Sequence, residues 1–253
     1  MKILFSFSLI FLISTLYSNT KAQYFAPPAL TASGQQNGLT AEMMGDPELP
    51  QRFFSYEEWS ERIEELMEAY SSNKSFQDEA LLPSLIALAY YPELHDVKVR
   101  FVYKDIKTSL AARPGIRNLF RKRKNRVYTI FIDNKVENGE GVLFEDFPLN
   151  AQVGGMGHEY AHIIDYSERS ALNILWLGIR YFLSDKSKAK LEHEVDKITI
   201  ERGLGWQTLA WEKFIIERSQ ASDKYKNYKS GLYLSSEDII QHMEQCPVYE
   251  HTH

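Results

Sequence analysis

Residues 154–166 read GGMGHEYAHIIDY, with His158 and His162 four apart and Glu159 directly after the first. On an α-helix, positions i and i+4 share a face about 6 Å apart along the axis, so both imidazoles can aim a nitrogen at one ion. Two imidazoles from one turn suit zinc, which takes nitrogen ligands at ~2.0–2.1 Å in a tetrahedral shell and leaves positions for a third protein group and a water. Glu159 lies about 100° round the helix from His158, beside such an ion instead of on it. A carboxylate there can take a proton from the water that attacks a carbonyl, then pass it to a leaving amine. The chemistry implied is metal-assisted hydrolysis of a peptide bond with Glu159 as general base.

A third ligand must come from elsewhere in the chain. Asp165 follows on the same helix face and reads as a support for the site more readily than as a ligand. Glu168 stands six residues past His162, the spacing of one known zinc-binding turn, but that turn needs a glycine where this chain has Asp165. The run KLEHEVD offers Glu192 after 29 intervening residues, on a separate predicted helix. Glu192 and Asp196 are i and i+4 and share a face there, whereas Glu194 points elsewhere.

HEYAH at 158–162 followed by E-x-x-x-D in EHEVD at 192–196 resembles the gluzincins, the thermolysin-like zinc peptidases. The E-x-E-x-D form is similar to their membrane-associated prenyl-protein peptidase branch. The resemblance implies a zincin-like fold, a Zn2+ ion on His158, His162 and Glu192, and Asp196 holding one histidine through its other ring nitrogen. It covers about Arg126 to Gly205 and departs from the family in three ways. Val195 stands where alanine is usual before the aspartate. The multiple spans of the prenyl-peptidase branch are missing, so its substrates do not carry over. No downstream oxyanion-stabilising residue is evident, and Tyr233, His242 and Arg202 are the candidates. The resemblance also implies an edge strand running antiparallel to the substrate beside the metal, a role expected of residues 126–133.

The elements that would position these groups follow from pattern. A helix is expected over about 150–166, with Val153, Ala161 and Ile164 giving it an apolar side and glycines 154, 155 and 157 allowing another backbone to approach. VKVRFVY at 97–103 and RVYTIFID at 126–133 alternate and read as strands. Between them, residues 113–126 carry seven basic side chains and read as a solvated loop, with contact to a membrane or anionic envelope polymer as the functional alternative. Ser55 with Glu58 forms a capping box, and Phe54 with Trp59 a hydrophobic staple, for a helix reaching Tyr70. Further helices are expected over 79–91, from a Ser187 cap to Arg202, over 206–218 and from Ser235, with a Lys/Tyr-rich loop before the last. Residues 171–183 are apolar nearly all round, too short to span a bilayer, and read as a buried helix or one that dips into lipid. Helices, then strands, then helices imply an α+β domain, with a small antiparallel or mixed sheet against a helical metal-binding part, and argue against a βαβ unit.

The whole is read as a signal peptide at 1–22, a Pro/Gly-rich flexible leader at 23–52 and one domain at 53–253. Lys2, the apolar run 3–17 and Ala22 have the layout of a secretory signal, implying a secreted, periplasmic or cell-envelope protein. Removing it takes Lys2 and Lys21, lowering 29 Lys+Arg to 27 against 34 Asp+Glu, a net charge of −7 that argues against nucleic-acid binding. Cys246 is the single cysteine, so stability must come from packing and metal instead of an internal disulfide. The expectation is an exported zinc metalloendopeptidase acting on a peptide or protein; the alternative is a non-catalytic envelope-associated binding protein of the same fold.

Overall fold

The computed structural model describes residues 50–136 and 140–250. The expected signal peptide and the leader up to residue 49 lie outside the described residues. The rest forms a helix-rich α+β domain with one four-stranded mixed sheet.

The first helical turn keeps the Ser55 half of the expected capping box and the hydrophobic staple. Ser55 Oγ accepts the Glu58 N–H at 3.1 Å, and the Phe54 and Trp59 rings meet edge-on at 5.0 Å. Helix α1 (Tyr56–Ser60) then breaks and resumes as α2 (Ile63–Tyr70). The strands are β1 (Lys74–Ser75), β2 (Lys98–Tyr103), β3 (Leu110–Pro114) and β4 (Val127–Ile132), in spatial order β1-β2-β4-β3. β1 and β2 run parallel, as do β2 and β4, while β3 is antiparallel to β4.

This topology corrects two expectations. Helix α3 (Leu81–Ala89) joins β1 to its parallel neighbour β2, a βαβ step that the element order had argued against. At two residues, β1 is too short to show a period. The strand within 126–133 is β4, which lies inside the sheet with all six residues buried, so it cannot be the substrate-facing edge. The sheet edge beside β4 is β3, whose LAARP sequence is too small and too short for clear alternation.

Helix α4 (Leu149–Glu168) packs on α3 and β3 and carries the two histidines. Val153, Met156, Tyr160 and Ile163 of α4 share the main core with Leu85 and Ile86 of α3 and with Phe101 and Ile130 of the sheet. After it come α5 (Ala171–Leu183), α6 (Asp185–Thr199), α7 (Gly205–Lys213), α8 (Asp223–Ser230) and α9 (Ser236–Gln245). The cap of α6 is Ser184, which accepts the N–H of Ser187 at 3.2 Å; Ser187 itself is not the cap. The Lys/Tyr-rich stretch expected as a loop holds α8, capped by Ser222. Helix α5 is not buried: Leu172, Trp176, Phe182 and Leu183 are all at least 60% exposed.

Two glycines let α6 and α7 close around α4. At Gly203 the chain takes φ 96° between α6 and α7, a left-handed turn open to glycine. At Gly154 of α4, a Cβ would lie 2.1 Å from the Gln207 carbonyl oxygen, so α7 rests directly on α4. Among the described residues no helix is long and apolar enough to cross a membrane.

Candidate metal centre

Helix α4 is anchored at the start and in the middle of its buried stretch. The Asn150 amide exchanges hydrogen bonds with the Phe54 backbone at 2.8 and 2.9 Å, and Tyr91 Oη donates to the Gly157 carbonyl at 2.7 Å. These contacts set the rotation that turns His158 and His162 toward α6. Their rings are 4.8 Å apart and nearly perpendicular.

From α6, Glu192 meets both. Its Oε2 lies 3.0 Å from His158 Nε2 and 3.2 Å from His162 Nε2, and the three ligand atoms fall within 4.8 Å of one another. One turn on, Asp196 Oδ1 lies 2.8 Å from His158 Nδ1, while Asp196 Oδ2 accepts the Leu234 N–H at 3.0 Å. Tyr181 of α5 donates to Glu192 Oε1 at 2.6 Å. All four of His158, His162, Glu192 and Asp196 are buried.

This donor set fits a metal ion. Both ring nitrogens of His158 face carboxylate oxygens, and a neutral imidazole has only one N–H, so the geometry calls for a positive charge between His158 and Glu192. A tetrahedral ion with bonds of ~2.0–2.1 Å holds its ligand atoms about 3.3 Å apart, close to the spacing of Glu192 from each histidine. Without an ion, burial alone would press the His158 pKa down, but the Asp196 and Glu192 carboxylates outweigh it and raise it to about 10. Burial likewise works against the Glu192 carboxylate, yet His162 and His158 hold it well below the usual range. His162 Nδ1 is buried without a hydrogen-bond partner, so Asp196 supports one histidine only.

Glu159, also buried, turns to the opposite neighbour. Its Oε2 accepts the backbone N–H of Ala112 in β3. In the β3–β4 register Ala112 stands across from Ile130, and its N–H points out of the sheet at the β3 edge. Tyr166, Lys229 and Tyr233 each lie within electrostatic reach of both Glu159 and Glu192.

The other sequence candidates divide. Tyr233 is brought to the site: its ring meets His158 edge-on at 5.4 Å and Trp211 at 4.9 Å. His242 instead lies 3.1 Å from Glu201, and Arg202 pairs with Glu93 over the Tyr91 ring. Asp165 commits both oxygens to Arg169, at 2.6 and 2.7 Å, and makes no hydrogen bond to a histidine. Glu168 is exposed at the end of α4, and Glu194 faces solvent beside Lys197.

Sequence reasoning missed four groups. Tyr181 had a weak signal, since with Ile174 and Leu177 it completes the inward stripe of α5. Trp211 had none beyond its place in an amphipathic helix, and the Ala112 N–H, a backbone group, had none at all. Lys229 was hidden in a Lys/Tyr-rich run; it is buried, donates to Thr108 Oγ1 at 3.0 Å and to Tyr233 Oη at 3.4 Å, and is pressed down to about 8 by desolvation.

No protein-family model, curated protein or solved structure matches the chain.

Proposed function

We propose that this protein is an exported zinc metalloendopeptidase of gluzincin type, with a zincin-like fold. The observation that carries the reading is the convergence of His158 and His162, one turn apart on α4, upon Glu192 of α6, with Asp196 behind His158. Export rests on the signal-like composition of residues 1–22.

His158, His162 and Glu192 would hold the ion. Bound there, zinc would supply a Lewis acid for the scissile carbonyl and acidify a water. Asp196 accepts the Nδ1–H of His158 and so fixes the tautomer that offers Nε2 as a ligand. Tyr181 holds the second oxygen of Glu192 and keeps its carboxylate oriented. Glu159 is the general base: it takes a proton from the attacking water and returns it to the leaving nitrogen. The Tyr233 hydroxyl, which accepts from Lys229 and whose ring lies against His158, would be the donor for a developing oxyanion. The outer edge of β3, where the Ala112 N–H meets Glu159, would give an extended peptide a main chain to pair with.

The test compares the purified full chain with Glu159→Gln on a quenched-fluorescent peptide library, with zinc measured by mass spectrometry. The wild type should carry stoichiometric zinc and cleave, while the variant keeps the zinc and loses about 10²–10⁴-fold in turnover. A chain that binds no metal sinks the zinc reading. One that holds zinc yet cleaves nothing, in either form, is the non-catalytic binding protein instead.

A further inference from the structure

Helix α5 has two apolar faces, and the fold uses one. Ile174, Leu177 and Tyr181 turn inward to the core. Leu172, Leu175, Trp176, Ile179, Phe182 and Leu183 fall within about 120° on the opposite side, at ~100° per residue, and are 41% to 77% exposed. A continuous stripe of this size, on the order of several hundred Å2, marks a contact surface and not ordinary solvated exterior.

Two segments joined to α5, the 115–126 loop and the start of α6, are rich in positive charge in a chain whose net charge is −5. Arg126 Nη1 donates to the Tyr166 and Arg169 carbonyls, at 3.2 and 2.8 Å, and so ties the end of the basic loop to the connection that opens α5. In that loop Arg117, Arg121, Lys122, Arg123 and Lys124 are exposed, and so are Ile116 and Phe120, at 52% and 71%. Beyond the stripe's middle, Arg180, Lys186 and Lys190 are exposed as well, with Asp185 the one acid between 171 and 190.

We infer that α5 and the 115–126 loop form one docking face for an anionic lipid bilayer, with α5 lying in the headgroup region. A short helix with Trp, Phe and Leu on one side and Lys and Arg at the rim has the chemistry of an interfacial helix, and the rim matches anionic headgroups. A second copy is the poorer occupant, because two-fold pairing of this face would bring two cationic rims together. The docked helix carries lipid contacts on one side and the Tyr181 hydroxyl, hydrogen-bonded to Glu192, on the other. The metal-holding cluster would then sit about one helix diameter, ~10 Å, from the headgroups.

The experiment is co-sedimentation of the full chain with phosphatidylcholine vesicles, with and without phosphatidylglycerol. It reads binding alone, so it is independent of hydrolysis. Binding should need the anionic lipid and weaken with salt. It should also fall at least about tenfold in Leu172→Gln/Trp176→Gln/Phe182→Gln and in Arg121→Gln/Lys122→Gln/Arg123→Gln/Lys124→Gln. In the unsubstituted protein, Trp176 is the one exposed tryptophan of the four, at 60%, so brominated lipid should quench emission without any mutation. Absent binding, equal binding to phosphatidylcholine alone, or binding unchanged in both variants overturns the inference. So does a dimer in light scattering that the triple apolar variant dissolves.

Discussion

His158 is gripped from both sides, and its two grips are separable by mutation. Asp196→Asn leaves the three ligands in place but removes the carboxylate behind His158, and should weaken metal affinity by about 10–100-fold. Titration against a chelating dye measures this; an unchanged affinity in a folded variant would mean that His158 needs no such support. The three residues of the motif were readable because a single helix carries them at fixed spacing, and Glu192 with Asp196 because a second helix repeats the i, i+4 logic. For Asp165, expected to support the site and not to ligate, spacing showed which face it shares but not that its partner is Arg169. Lys229 gives a second prediction. Burial lowers its folded-state pKa to about 8 from an ordinary 10.5, so between those values the unfolded chain binds more protons than the folded one, and stability rises with pH. Relative to Lys229→Met, the wild type should gain on the order of 3 kcal/mol from pH 8 to 10.5 in urea unfolding, and a flat difference would place the amine in water.

At the scale of elements, α4 meets α7 backbone to backbone, whereas α5 leaves one apolar face uncovered. Gly154→Ala would drive a Cβ into the Gln207 carbonyl and should destabilise by about 1–3 kcal/mol or more, whereas a Cβ at Gly178 of α5 meets nothing within 4 Å. Gly178→Ala should therefore stabilise by roughly 0.5–1 kcal/mol through helix propensity alone. Thermal unfolding of the pair checks both signs. The sequence showed α4, α6 and β4 because long or strongly alternating segments print their period. It hid β1 and β3, at two and five residues, and it misjudged α5, whose all-round apolar composition reads as burial although only one stripe is packed. Strand order was beyond its reach, since partners are chosen by packing and not by local pattern.

For the whole molecule, the cluster joins parts of the chain that lie far apart: α4 and α6 through the ligands, the 234 backbone through Asp196, and α5 through Tyr181. A metal held there acts on the folded state alone. At a free concentration 1,000 times its dissociation constant it would add about 4 kcal/mol. Chelation should therefore lower the melting temperature, zinc should restore it, and a melting temperature indifferent to both would sever the ion from the fold. The bond from Ala112 to Glu159 has a consequence of another kind. One hydrogen serves both the edge of the sheet and the carboxylate proposed to move protons. A peptide carbonyl that claimed the Ala112 N–H would release Glu159, so the arrival of an extended strand would also unlatch the base, and a chain that failed to pair would leave it bolted.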